Sequence, residues 1–167
     1  MKKNLLLIAV LLLSMATGFS QATFNTGAMQ VDIDEYGAIE LFSADGAYQL
    51  DRASLLVGTS ATTVFDYKND AESLDLTTLV ATPSMSDFEI YGSFDNTYSS
   101  LPPAVIVKLN AYGWTNEGYV ILRFNIQNNE AAAINATAGL DIIPYIHEEW
   151  GYDTVSYNSV DRVIRFH

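Results

Sequence analysis

The segment IHEEWGYD contains the densest set of side chains that could do chemistry. An imidazole beside carboxylates can move protons, so His147 with Glu148 or Asp153 is a candidate acid–base pair. The same segment could bind a sugar, with Trp150 and Tyr152 stacking on its ring and the carboxylates accepting hydroxyl hydrogen bonds. A solvated turn around a half-buried tryptophan is the alternative, and it is favoured because no second motif supports a site. We therefore treat these five as candidate ligand-binding residues, assign none to catalysis, and do not expect an enzyme.

The segment VDIDEYGAIE suggests a calcium loop, because Asp32, Asp34 and Gly37 stand at its positions 1, 3 and 6. The later ligand positions do not fit, since Tyr36 and Ser43 stand where the loop needs an Asp or Asn and a bidentate Glu. The same residues also alternate as two strands around a tight turn, with Gly37 supplying a positive φ. The sequence therefore predicts a β-hairpin here and no metal site. Zinc has little support either, because the chain has two histidines and no cysteine. No cofactor is expected.

The elements that would position these residues are strands. Apolar and polar residues alternate in MQVDI, AIELF and DFEIYGSF, which places the apolar side chains on one face. The segments AVIVKLNAYGW and GYVILRFNIQNN are rich in β-formers, and the short connection between them predicts antiparallel neighbours. NNEAAAIN has too short an apolar run for a helix and is interpreted as a loop. About ten short strands with frequent turn signals predict an all-β fold, an antiparallel β-sandwich, with a closed barrel as the alternative.

The N-terminus predicts the compartment. Two lysines, an apolar run and then small residues are typical of a secretory signal peptide, here residues 1–22. The apolar run is about nine residues, shorter than the ~20 that a membrane-spanning helix needs. We expect a secreted or extracellular protein, at the cell surface or in the periplasm, with one β-sandwich domain at residues 23–167 and no membrane span after cleavage. Because DRVIRFH ends in strand-like sequence, the domain is expected to be truncated and part of a longer protein.

Charge and cysteine content restrict the partners. The net charge is −12, and it becomes −14 once Lys2 and Lys3 leave with the signal peptide. Such a chain repels nucleic acid and anionic membrane surfaces, so neither is an expected partner. The absence of cysteine excludes disulfides, thiolate metal sites, cysteine nucleophiles and lipid attachment to cysteine. Glycans or other surface proteins remain as partners, and the sequence indicates no oligomeric state.

Two segments resemble regions of large secreted surface proteins of Bacteroidetes-type bacteria, which use the type IX secretion route. MQVDIDEYGAIELF followed by LLVGTS is similar to a strand pair around an "ndG"-like turn and a "lwvG" strand. GYVILRFNIQNNEAAAINATAGLDIIPYI is similar to a later strand, turn and long strand. The chain departs from that pattern where DIIPYIHEEW replaces an acidic "D-w-D" segment, and it shows no C-terminal sorting domain. The resemblance implies a non-catalytic β-sandwich region and transfers no catalytic residue.

These observations leave two functions. The first is a secreted, non-catalytic β-sandwich module with a structural or adhesive role, as part of a larger surface protein. The second is a carbohydrate-binding or carbohydrate-active sandwich that uses Trp150, Tyr152 and the nearby carboxylates. Trp114 and Tyr119 flank the polar turn in GWTNEGY, and Trp114, at a strand end, is interpreted as a lid on the core rather than a ligand platform.

Overall fold

The computed structural model describes residues 21–146 and 154–166. Within these residues the secondary structure is almost entirely strand, with a short helix, α1, at Tyr67–Asp70. The strands are β1 (Ala22–Asn25), β2 (Met29–Ile33), β3 (Ile39–Ser43), β4 (Tyr48–Ser60), β5 (Thr63–Asp66), β6 (Glu72–Leu79), β7 (Phe88–Asp95), β8 (Val105–Gly113), β9 (Ile121–Asn128), β10 (Thr137–Pro144), β11 (Val155–Asn158) and β12 (Val163–Phe166).

The strands form two main antiparallel sheets and a separate hairpin. The first sheet has the order β1-β2-β3-β4-β10, with β5 also paired to β4, and the second has the order β6-β7-β8-β9. Among the described strands, β11 and β12 pair with each other and with no strand of the two main sheets. No sheet in the described ranges closes into a barrel, so the all-β sandwich prediction is confirmed and the barrel alternative is wrong.

The core lies between the two sheets because each strand directs alternate side chains inward. Two rings from opposite sheets, Phe65 and Phe94, stack with centroids 6.5 Å apart and planes 8° from parallel. Each large apolar side chain buried in this way contributes roughly 1.5–3 kcal/mol relative to exposure. The aliphatic side chains of the core that are at most 1% exposed include Val31, Ile33, Ile39, Ile90, Val107 and Leu109.

The strongest strand segments of the sequence are β8 and β9. They pair antiparallel from Val105 opposite Asn128 to Tyr112 opposite Ile121, as the short connection predicts. Residues 129–136 contain no helix or strand, as predicted for NNEAAAIN. The described residues contain no helix with the length and apolar character that crossing a membrane requires.

Strand β4 is the main departure from the sequence pattern. ASLLVG alone predicts a short strand, whereas β4 has 13 residues and pairs with β3, β5 and β10. Strand β3 pairs with the first half of β4 and β5 pairs with the second half, so these two strands share one edge of β4. Both ladders contain register shifts, which bend a strand. At the other end of this sheet, β1 begins at Ala22, which is the last residue of the predicted signal peptide. Processing there stays a prediction.

Candidate interaction site

The residues predicted to bind a ligand cannot be placed. His147, Glu148, Trp150, Tyr152 and Asp153 all lie outside the described residues. Their roles therefore stay predictions, and the sites that follow come from the rest of the chain.

The segment proposed as a calcium loop is the β2–β3 hairpin. One carboxylate oxygen of Asp34 accepts hydrogen bonds from the backbone N–H groups of Tyr36, at 2.9 Å, and Ala38, at 2.8 Å. Gly37 has the positive φ that the sequence predicted, +90°. Burial raises the pKa of the Asp34 carboxyl, although its backbone hydrogen bonds act in the opposite direction. The carboxylate thus stabilises the turn itself, which is the structural role that the ligand count favoured.

The neighbouring carboxylate, Asp32, also has local partners. It lies in β2, is 8% exposed, and accepts hydrogen bonds from the side-chain amides of Gln21 and Gln30. In the part of the chain that the structure describes, no group of three or more acidic or histidine side chains is arranged to hold a metal ion.

A third acidic group lies on the outer face of the second sheet. The carboxylate of Asp75 accepts hydrogen bonds from the hydroxyls of Ser93, at 2.7 Å, and Tyr91, at 2.9 Å. These two bonds, that from Ser93 first, lower the pKa of Asp75. A carboxylate held ionised in this way ties β6 to β7 and is a poor proton donor at neutral pH.

Trp114 and Tyr119 meet across the β8–β9 turn, as their flanking positions allow. Their ring centroids are 5.6 Å apart and the planes are tilted by 35°. Trp114, the predicted lid, is half-buried, whereas Tyr119 is 49% exposed. The exposed face of Tyr119 offers one aromatic surface to a ligand.

The most distinctive surface lies along one side of the sandwich. Strand β1 packs on β6 and β7, and β10 and β9 are the strands at the other ends of the two sheets. Leu140 lies directly opposite Leu55, and Ile126 lies directly opposite Val107, so both face inward. Leu55 and Val107 are at most 4% exposed, whereas Leu140 is 47% and Ile126 is 37% exposed. The core is therefore open to solvent here, and we name Ile126 and Leu140 the open side.

The hairpin of β11 and β12 has a second uncovered apolar surface. Its register places Val155 opposite Phe166 and Tyr157 opposite Ile164, so these four side chains share one face. Val155 and Tyr157 are each 63% exposed, and Ile164 is 57% exposed. We name these four residues the hairpin face. A two-stranded hairpin is marginally stable alone, so a face of this composition needs a surface to pack on.

A groove of about 750 Å³ lies beside β10 on the outer face of the first sheet. Its walls include the apolar side chains of Leu56, Val64 and Ile134 and the polar side chains of Asn135 and Thr137. None of its lining residues is ionisable. The groove could therefore hold a neutral or apolar group, but it offers no acid, base or charged anchor.

No protein-family model, curated protein or solved structure matches the chain.

Sequence reasoning did not identify the open side, although the alternation in LRFNI and GLDII does indicate which side chains face inward. Whether another strand covers those side chains depends on where the sheets end, and the alternation carries no signal for that.

Proposed function

We propose that the chain is a secreted, non-catalytic β-sandwich module with a structural or adhesive role in a larger surface assembly. The observation that supports this proposal best is the open side, where inward-facing side chains stay exposed beside fully buried neighbours. Soluble monomers rarely expose contiguous apolar patches of more than a few hundred Å², and larger patches usually mark contacts with other proteins. The hairpin face adds a second such surface in the same chain.

The described carboxylates also favour this function. Asp32 accepts a hydrogen bond from the Gln30 amide, Asp34 from backbone N–H groups and Asp75 from the Ser93 hydroxyl, so the structural roles of these three carboxylates are accounted for. The signal peptide predicted at residues 1–22 supports secretion, and the large negative charge suits a protein that must stay soluble outside the cell. The resemblance to type IX surface proteins is in keeping with the same role.

Photo-crosslinking on secreting cells tests the proposal. The photoreactive residue p-benzoylphenylalanine would replace Leu140 in the full-length chain. Illumination is expected to give crosslinked species heavier than the monomer. Met85, an apolar side chain that is 67% exposed in the loop between β6 and β7, is the control position and should give few. If position 140 gives no more adduct than position 85, the open side is not a contact surface and the proposal fails.

The second candidate is a carbohydrate-binding module, which the exposed Tyr119 ring beside Trp114 supports. Two aromatic planes at a turn can stack on a sugar ring, with Trp150 and Tyr152 as further candidates from the sequence. A glycan array would test this candidate with the wild type, Trp114→Ala and Trp150→Ala. Binding that is lost in either variant would support the candidate, and the absence of binding by the wild type would exclude it for the glycans printed.

A further inference from the structure

We propose that the hairpin face of one copy docks on the open side of a second copy of this chain. This inference deepens the proposed function and rests on it, because it names the partner that the open side binds. The two surfaces have matching character. Each consists of strand residues whose apolar side chains point to one side and remain exposed.

Apolar area supplies the attraction. Val155, Tyr157 and Ile164 are each more than half exposed in the hairpin, and Leu140 and Ile126 are the exposed members of the open side. Packing these groups together removes apolar surface from water on both partners, which favours association. The half-buried Phe124 and Ile142, beside Ile126 and Leu140, supply a floor that is already packed against the core.

Charge favours docking between the hairpin and a sandwich body. Residues 154–166 carry Arg162 and Arg165 against the single acid Asp161, a net charge of +1. Residues 23–153 carry 19 acidic and four basic side chains, a net charge of −15. Two bodies of this charge repel each other, whereas a cationic hairpin is attracted to either body. The hairpin is therefore the part of the chain best suited to contact a second copy.

A second copy is favoured over the chain's own body, because the hairpin face is solvent-exposed in the structure of the single chain. When the hairpin of each copy docks on the other copy, the hairpin face and the open side are both buried, and no surface beyond these two is needed. With few side chains on each partner, the contact belongs to the small, reversible class, so we expect a dissociation constant on the order of 10 µM.

Sedimentation of the purified mature chain and two variants tests the docking. The wild type at about 100 µM should sediment as a dimer or larger species and should dissociate on about hundredfold dilution. Tyr157→Asp places a charge in the hairpin face, and Leu140→Asp places a charge in the open side. Each should weaken association at least about tenfold. Val160→Asp is the control with the same added charge, because Val160 lies in the turn of the hairpin and its side chain is 87% exposed. This variant should associate like the wild type.

Mixing the two variants decides whether these two surfaces meet. Tyr157→Asp keeps an intact open side and Leu140→Asp keeps an intact hairpin, so an equimolar mixture should recover association that neither variant shows alone. Ile126→Asp replaces Leu140→Asp if circular dichroism shows that the latter is unfolded. A wild type that stays monomeric at about 100 µM, or a mixture that fails to recover, overturns the inference. If the crosslinks from position 140 on cells contain other proteins and the purified chain is monomeric, the proposed function stands and only this inference fails.

Discussion

Gly37→Ala should destabilise the sandwich by more than a positive φ alone explains. Gly37 has φ +90°, and a Cβ atom there would lie 2.4 Å from two ring carbons of Phe94. A non-glycine residue in the left-handed region costs about 1–2 kcal/mol. Overpacking a filled core costs about 1–3 kcal/mol more. Phe94 is 1% exposed and stacked on Phe65, so the ring cannot move away easily. The expected loss is about 2–5 kcal/mol in the free energy of unfolding.

Gly46 provides the matched control for this measurement. It has φ +87°, and a Cβ atom added there meets nothing within 4 Å. Gly46→Ala should therefore lose only the conformational part, about 1–2 kcal/mol. Urea denaturation of both variants, with the slope held in common, gives the difference between them.

A double-mutant cycle attributes the difference to the ring. In a Phe94→Leu background, Gly37→Ala should cost about 1–2 kcal/mol less than in the wild type, because the clashing ring carbons are gone. Equal losses at Gly37 and Gly46, or strict additivity in the cycle, would refute the placement of Phe94 against the turn.

Three further predictions concern charge and processing. Asp34→Asn should match or exceed the wild type in stability at pH 7, because it keeps an acceptor for the turn and removes a part-buried charge. Since the folded-state pKa of Asp34 is raised, the wild type loses stability as the pH rises from the unfolded pKa through the folded pKa. The advantage of Asn should therefore vanish below about pH 3.9, as urea titrations across pH would show, and a gap that widens on acidification would contradict the sign. Arg52→Met should lower the free energy of unfolding by about 1–2 kcal/mol, because it removes two contacts. These are the ion pair with the part-exposed Asp141 and the contact of the guanidinium carbon with the Tyr67 ring, whose centroid is 5.6 Å away. An unchanged urea midpoint would count against both contacts. N-terminal sequencing of the secreted protein should begin at Thr23, and any other first residue would correct the predicted cut.

The fold was largely predictable because its strands obey a period of two. In β2, β3, β7, β8 and β9 the alternation of apolar residues identifies the inward side, and Gly37 identifies the turn of the first hairpin. These are local properties, and neighbouring residues determine them. The length of β4 was not predictable, because it depends on bulges that let the strand pair with three partners.

The candidate site was predictable only in part. The alternation places Ile126 and Leu140 on the inner faces, but their exposure depends on β9 and β10 being the last strands of their sheets. Exposure at a sheet edge is a property of the whole topology, so no short segment encodes it. The richest chemical segment of the sequence, around Trp150, lies outside the described residues, and its role stays a prediction.

Covalent footprinting of the open side tests the proposed function most directly. A carbene or hydroxyl-radical label would be applied to the dilute purified chain and to the same chain on secreting cells, and modification would be read at single residues. We expect Leu140 to be labelled in the dilute protein and protected on cells, while Met85 is labelled equally in both. Equal labelling of Leu140 in the two states would contradict the claim that this surface is covered in an assembly.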